Sequence, residues 1–461
     1  MELFPDRTGF RMRLRRALTA ILPALAGLAG WTGAASPEAD LRWPEAYFPE
    51  LTEVLRLAVA EAPRLEILRE RMREQEGEAR VMESWRRLRV DSNVRLLGAY
   101  EMRTDIDDRF RSTVHGNVQA AKPLYHWNRL ENQSAIGQLR RELGEIEFER
   151  GGRHHLAEVR RAFLEWVLAG ERIAVLKRST EVAESLLNYE RGLLEIGRGT
   201  EASVMELEAR LLEGRERLAH QERERARLER RLEELTGVPG VVSAHRGTEF
   251  PEVETLDLNG LEMLARRLSG RGAEHSPGVR FEEKMREIED RRYAIASRNR
   301  YPRLDFVTGI YTDQIEAFDR SDFALRMQYF AGVQVSWNLF DGRRTEGEKM
   351  AALARRRVHE LQADTERERM GAETAGLLDE LEFTVRQLSA RMTRADLLRR
   401  RADHLDEQAE RGLASARERL EARLDYEDTR LRVLEARAQY LVHLMHLTAL
   451  HTTDPWLQET P

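Results

Sequence analysis

The sequence predicts a mainly α protein with a small transmembrane β part, in which one helix–hairpin–long-helix unit is written twice. Three observations lead there. Proline is absent between Pro123 and Pro239 and between Pro302 and Pro455, gaps of 115 and 152 residues. An interior proline costs a helix about 3 kcal/mol, so both gaps can hold very long helices. Two short windows, about 90–124 and 301–340, switch from helical spacing to alternation. Two landmarks also repeat at one offset: Leu124 and Leu339 at a strand exit, Gly197 and Gly412 at a helix break, each pair 215 residues apart (339 − 124 and 412 − 197).

The elements follow in order. Arg11, Arg13, Arg15 and Arg16 precede an apolar stretch from Ala17 to Trp31 and the small residues Gly33, Ala34 and Ala35. Basic, apolar, small is the order of a secretory signal peptide, here 1–35. Leu51, Val54, Leu55, Ala58 and Val59 are spaced as on a short amphipathic helix, and Pro63 opens a second helix that runs to about Leu88. Val94, Leu96, Gly98 and Tyr100 then alternate with polar residues in a strand over about 90–102. A polar stretch from Arg103 to Arg109 leads to a second strand over about 113–124, carrying Val114, Gly116, Val118 and Ala120.

Helical spacing returns from Arg129 to about Leu194, is interrupted by Gly197-Arg198-Gly199-Thr200, and runs on nearly to Pro239. This first repeat, 36–240, is joined by a linker, 241–255, to a second repeat, 256–452, and a tail, 453–461. The second repeat has a short helix from Leu256 to Leu268, an ascending helix from Val279 to Arg298 and strands over about 302–313 and 325–340. Its long helical stretch runs from Arg343 to about Leu450 and breaks near Gly412.

At 1.5 Å per residue, a helix from Arg129 to Leu194 is about 100 Å long and must pack laterally in a coiled coil or helical barrel. The composition agrees, with 34% charged and 7% aromatic residues among 461 and a net charge of −6. No apolar run of roughly 20 residues follows residue 35, which excludes a polytopic helical membrane protein. Near-balanced charge argues against a nucleic-acid binder. The absence of cysteine removes disulfides, thiolate metal sites, cysteine nucleophiles and lipid attachment at an N-terminal cysteine.

In the last strand Val333, Val335, Trp337 and Leu339 form one face, while Gln334, Ser336 and Asn338 form the other. Apolar outside and polar inside is the pattern of a transmembrane β-strand around a wet lumen, with the first four residues facing lipid. Open sheet edges are not tolerated in lipid, so four strands per chain require a barrel assembled from several chains. An ordinary soluble hairpin pair with one buried face carries the same alternation.

At this point the sequence resembles the TolC-type outer-membrane efflux proteins (outer membrane factors), over about Leu51 to Leu450. Leu51-Thr52-Glu53-Val54-Leu55-Arg56-Leu57-Ala58 followed by Ala62-Pro63-Arg64-Leu65 resembles the family's L-x-x-x-L-x-x-A helix and N-P-x-L. Tyr301-Pro302-Arg303-Leu304 is similar to its P-x-L strand start, where the first repeat instead has Val90-Asp91. Val335-Ser336-Trp337-Asn338-Leu339-Phe340-Asp341-Gly342-Arg343-Arg344 is similar to its S-W-x-L-F-D-G-G-x strand exit, the most specific match. The segments 197–200 and 412–415 resemble its two helix-turn-helix tips.

The resemblance implies a homotrimer whose four strands per chain close one twelve-stranded barrel in outer-membrane lipid, continued by a periplasmic α-helical barrel. It implies a passive exit duct in a tripartite efflux or type I secretion system, fed by an inner-membrane RND or ABC pump through a periplasmic adaptor. Gly197, Thr200, Gly412 and Ser415 would contact the adaptor. Glu418 and Glu421, which align with the family's acidic gate run, would stand at the periplasmic gate. Arg419 and the first-tip counterparts Ser203 and Glu206 depart from that pattern.

No catalytic, cofactor or metal site is expected. No phosphate loop, Gly-x-Ser-x-Gly or His-Glu-x-x-His occurs, and no carboxylate joins His443 and His446 at metal-ligand spacing. Two other readings remain: an extracytoplasmic coiled-coil scaffold, which has no need of lipid-facing strands, and a TolC-like protein that has lost transport.

Overall fold

The computed structural model describes residues 41–103, 106–268, 276–316 and 323–458. The signal-peptide segment 1–35 lies outside them. After a 3-10 turn at Pro44–Ala46, the order is α1 (Pro49–Glu61), α2 (Pro63–Ser84), β1 (Arg89–Arg103), β2 (Ile106–Tyr125), α3 (Arg129–Glu195) and α4 (Glu201–Thr236). Then come α5 (Leu258–Leu268), α6 (Pro277–Ser297), β3 (Arg303–Glu316), β4 (Phe323–Ser336), α7 (Arg344–Glu410), α8 (Ala416–His451) and the short α9 (Pro455–Gln458). Helices α3 and α7 have 67 residues each, and α4 and α8 have 36 each. Each end of α7 and α8 lies 215 residues beyond the matching end of α3 and α4 (344 − 129, 410 − 195, 416 − 201, 451 − 236).

The chain turns from strand to helix through two left-handed elbows. Trp127 and Asn128 have φ of 55° and 57°, and Gly342 and Arg343 have φ of 61° and 69°. These are again 215 residues apart (342 − 127). A bulky residue at positive φ is strained. Trp127 is held there by its Nε1, which donates to the Pro302 carbonyl at 2.8 Å, and by Tyr301, stacked at 4.8 Å.

The long helices are not buried all round; they pack pairwise. The sequence signal for one of these contacts is a glycine every seventh residue. A Cβ on Gly137 would lie 3.1 Å from the Ala79 carbonyl, one on Gly144 3.2 Å from Gln75 Cβ, and one on Gly151 2.6 Å from Leu68. The seam thus lets α2 approach α3 closely over about four turns. Gly152 faces the other way, against Leu457. The pair Gly151-Gly152 therefore serves two packing contacts.

The main core lies at mid-length. There Leu51, Val54 and Leu55 of α1 and Leu156, Phe163 and Trp166 of α3 meet Leu232 and Leu235 of α4, Leu264 of α5, Leu381 of α7 and Leu441 and Leu444 of α8. Phe48 packs edge-on against both Phe163 and Phe250. Smaller clusters lie toward the tip of α3 and α4 (Leu186, Leu207, Leu211, Leu420) and toward the sheet (Ile136, Leu139, Leu143, Ile288).

One buried cation organises this core. Arg160 is fully buried. It donates from Nη1 to Asp454 at 2.5 Å, from Nη2 to Glu45 at 2.7 Å and from Nε to Glu45 at 3.1 Å. Its guanidinium lies 4.1 Å from the Trp43 ring centroid, and Trp456 Nε1 donates to the same Glu45 at 3.2 Å. Burial alone would lower the Arg160 pKa; the bonds it donates to Asp454 and Glu45 raise it, so the charge persists. The segment before α1 and the segment around α9 are thereby tied to the middle of α3.

Candidate functional site: the two-faced sheet and the helix tips

The four strands form one antiparallel sheet in the order β1-β2-β3-β4. Its register settles which residues share a face, because paired residues point the same way. Val90 pairs with Ala120, Leu96 with Val114 and Tyr100 with Phe110. Val118 pairs with Ile310, and Phe306 with Val333. Leu304 pairs with Val335, and Ile310 with Tyr329. One continuous apolar face therefore crosses all four strands, and it is open: Leu96 is 75% exposed and Tyr329 69%. The other face carries Arg89, Asp91, Asn93 and Arg95, then Asn117 and Gln119, Arg303 and Asp305, and Gln328 and Gln334. Leu97, Val307 and Phe330 are among the apolar residues on that face.

Val333 and Val335 sit on the apolar face as expected. Trp337 and Leu339 do not lie on a strand: β4 stops at Ser336, paired with Arg303. The next position of β3 would be Pro302, which has no N–H to offer. Trp337 Nε1 instead donates to the Arg300 carbonyl at 2.9 Å. Conversely, β2 starts at Ile106, well before 113, and the first hairpin closes at Arg103 opposite Ile106. Residues 106–109 of the polar stretch thus belong to β2. At the base of the sheet Tyr125 packs edge-on against Trp127, which stacks on Tyr301.

At the other end of the long helices, Gly197 (φ 74°) and Gly412 (φ 72°) turn the chain, and a Cβ on either would meet open space. Backbone conformation, not crowding, calls for glycine there. Thr200 caps α4, its Oγ1 accepting from Ser203 N at 3.2 Å. Ser415 caps α8 through a reciprocal box: its Oγ accepts from Glu418 N at 3.1 Å, and Glu418 accepts from Ser415 N at 3.0 Å. These bonds hold the Glu418 carboxyl below its ordinary pKa. Glu421 accepts from Arg417 Nε at 3.0 Å.

A side chain that helical spacing did not reveal lies beside them. Glu190 is buried (3% exposed), accepts from Arg417 Nη1 at 3.1 Å and from Ser203 Oγ at 3.4 Å, and so joins α3, α4 and α8 just behind the tips. With Arg178–Glu427 at 3.3 Å and Arg172–Glu435 at 3.0 Å it completes a run of α3–α8 ion pairs.

Among the described residues, no group of acidic and histidine side chains could hold a metal ion, and no helix is long and apolar enough to cross a membrane. The second fact says nothing of a β-barrel.

A sheet with one apolar and one polar face, set on paired helices of 67 and 36 residues, is also the fold of several solved outer-membrane proteins. Three of them superpose on this chain. CmeC of Campylobacter jejuni does so with a TM-score of 0.72 at 12% identity, covering 92% of this chain and 90% of that one. VceC of Vibrio cholerae gives 0.68 at 15%, covering 89% and 98%. MtrE of Neisseria gonorrhoeae, in its open state, gives 0.66 at 14%, covering 88% and 89%. No curated protein matches the sequence significantly. Residues 273–452 match the model of the outer membrane efflux protein family. The TolC-type resemblance thus holds by sequence over that segment and by fold over most of the chain.

Proposed function

We propose that this protein is the outer-membrane exit duct of a tripartite efflux or type I secretion system. The observation that carries the reading is the sheet itself. Its apolar face is exposed on one chain, its polar face can line water, and β1 and β4 each have an unpaired edge. In lipid those edges must be closed by further strands. Three copies give twelve strands, and the helices below continue the tube into the periplasm as a helical barrel. The equal lengths and the common offset of 215 support descent of the two halves from one duplicated unit.

In this reading the tips at Gly197, Thr200, Gly412 and Ser415 dock a periplasmic adaptor, and an inner-membrane RND or ABC pump supplies the energy. The chain itself performs no catalysis and needs no cofactor. Glu418 and Glu421 sit in the first turns of α8, where a carboxylate ring would narrow the tunnel. Both acids are also engaged within the chain, Glu418 in the cap and Glu421 with Arg417. With no free acidic ring at the gate, a second reading is a TolC-like protein that has lost transport.

Purified full-length protein in a planar bilayer tests the first reading. It is expected to extract only in detergent, to run as a trimer and to conduct, with E421Q increasing conductance. A chain that stays soluble without detergent overturns the duct; a well-inserted trimer that never conducts supports the second reading.

A further inference from the structure

The polar face of the sheet ends in a cavity of about 690 Å³, between the last turn of α2, the base of the strands and the first turn of α3. Its lining is unbalanced in charge. Arg87, Arg89, Arg129 and Arg303 face it, against a single carboxylate, Asp305. That carboxylate is already engaged by His126 Nε2 at 2.8 Å. The acids around the cavity are engaged as well: Asp91 with Arg89 at 3.1 Å, and Glu348 with both Arg344 and Asn299 at 2.8 Å. No ion pair joins Arg129, Arg303 or Arg87 to a carboxylate among the described residues. Arg129 is the sharpest case. Its Nη1 is buried with no hydrogen-bond partner. Burial and the neighbouring charge of Arg303 both push its pKa down, opposed by Glu348. A guanidinium left unpaired away from water costs free energy unless an anion meets it. Trp85 and Leu88 provide an apolar wall beside these donors.

We propose that this cavity is a binding station for small organic anions, carboxylates or sulfonates on an aromatic or aliphatic body. Arg129 and Arg303 take the acidic group and Trp85 and Leu88 the body. This rests on the duct reading and names the substrate class of its lumen: anionic amphiphiles moving from the helical tunnel into the barrel. Three chains would place a basic ring at that junction, which favours anions over cations.

The test is calorimetric titration of the detergent-solubilised full-length protein with naphthalene-1-sulfonate, and with neutral 1-naphthalenemethanol as control. The wild type is expected to bind the sulfonate, more weakly as salt rises. R129Q/R303Q is expected to bind it at least tenfold more weakly, while its circular dichroism and its weak uptake of the neutral control stay unchanged. R303Q alone, on an exposed strand position, is expected to lose part of the affinity without touching the helix start. Equal sulfonate binding by wild type and both variants, or no binding by the wild type, overturns the proposal. Because binding is read without transport, a protein that binds the sulfonate but never conducts refutes the duct and leaves the station standing.

Discussion

Replacing Arg160 by methionine should be among the most damaging single changes in the helical part. The substitution removes three donors and leaves Asp454, whose side chain is 1% exposed, and Glu45, at 14%, as carboxylates without their counterion. Breaking a buried pair from one side typically costs about 3–5 kcal/mol, because the remaining charge stays buried. The lost contact with the Trp43 ring adds roughly 0.5–1 kcal/mol. A neighbouring residue provides the control. Arg161, one position on, is 60% exposed and pairs only with Glu165 on its own helix, at 2.9 Å; an exposed pair of this kind is worth about 0–1 kcal/mol. R160K should recover only part of the loss, since an ammonium cannot reproduce the planar fork that grips two carboxylates. Guanidinium titration of the detergent-solubilised protein, followed by helical circular dichroism, reads the difference, and limited chymotrypsin digestion, which can cut after Tyr47 and after Trp456, reads release of the segments around Trp43 and Trp456. R160M is expected to unfold at clearly lower denaturant than R161M and to be cut early at both segments. Equal midpoints for R160M and R161M would refute the reasoning.

Three further outcomes follow from the same coordinates. G137L should destabilise by about 1–3 kcal/mol, because its side chain meets the Ala79 backbone at 3.1 Å; G347L, where a Cβ meets nothing within 4 Å, should be nearly neutral by thermal melting. S415A removes the α8 cap and should cost about 0.5–2 kcal/mol, read from the melting temperature, with T200A similar for α4. The buried His155 has its pKa lowered by burial and by the charge of Arg64, against Glu158. The unfolded chain therefore binds the proton more readily, so the stability of the neutral form is intact above about pH 6.5 and falls as pH drops below it. His446, lowered by burial and by Arg161 and His443, acts in the same direction. H155L should flatten the loss of stability between pH 6.5 and 5; an unchanged slope in H155L would remove His155 as a cause.

Much of this molecule is legible in its residues. Proline-free runs, glycines at the breaks and a change of period locate long helices, tips and strands, since each reflects a backbone constraint that is local. The helix from Arg129 ends at Glu195, within a residue of its expected end, because Gly197 must take positive φ just beyond it. The apolar alternation of Val333 and Val335 carries over to a sheet face for a similar reason: side chains alternate whatever the strand pairs with. The end of β4 was less legible. Alternation runs on through Trp337 and Leu339, but pairing stops opposite Pro302, and a partner strand is not visible from one strand's own sequence.

Charged residues were legible only as charge. Arg160 and Arg161 are adjacent and chemically identical, yet one is fully buried among two carboxylates and an indole and the other lies in water. Glu190 looks like any helix-surface acid until Arg417 of α8 and Ser203 of α4 close over it. By itself the sequence determined where helices and strands run and which face of each is apolar, because those follow from backbone sterics and side-chain periodicity. Only the tertiary structure decided which ions are buried, that Glu418 closes a cap, and that Arg87, Arg129 and Arg303 converge on one cavity without a carboxylate of their own. An ionic interaction depends on distance to groups far along the chain, and the spacing of residues within one helix carries no record of them.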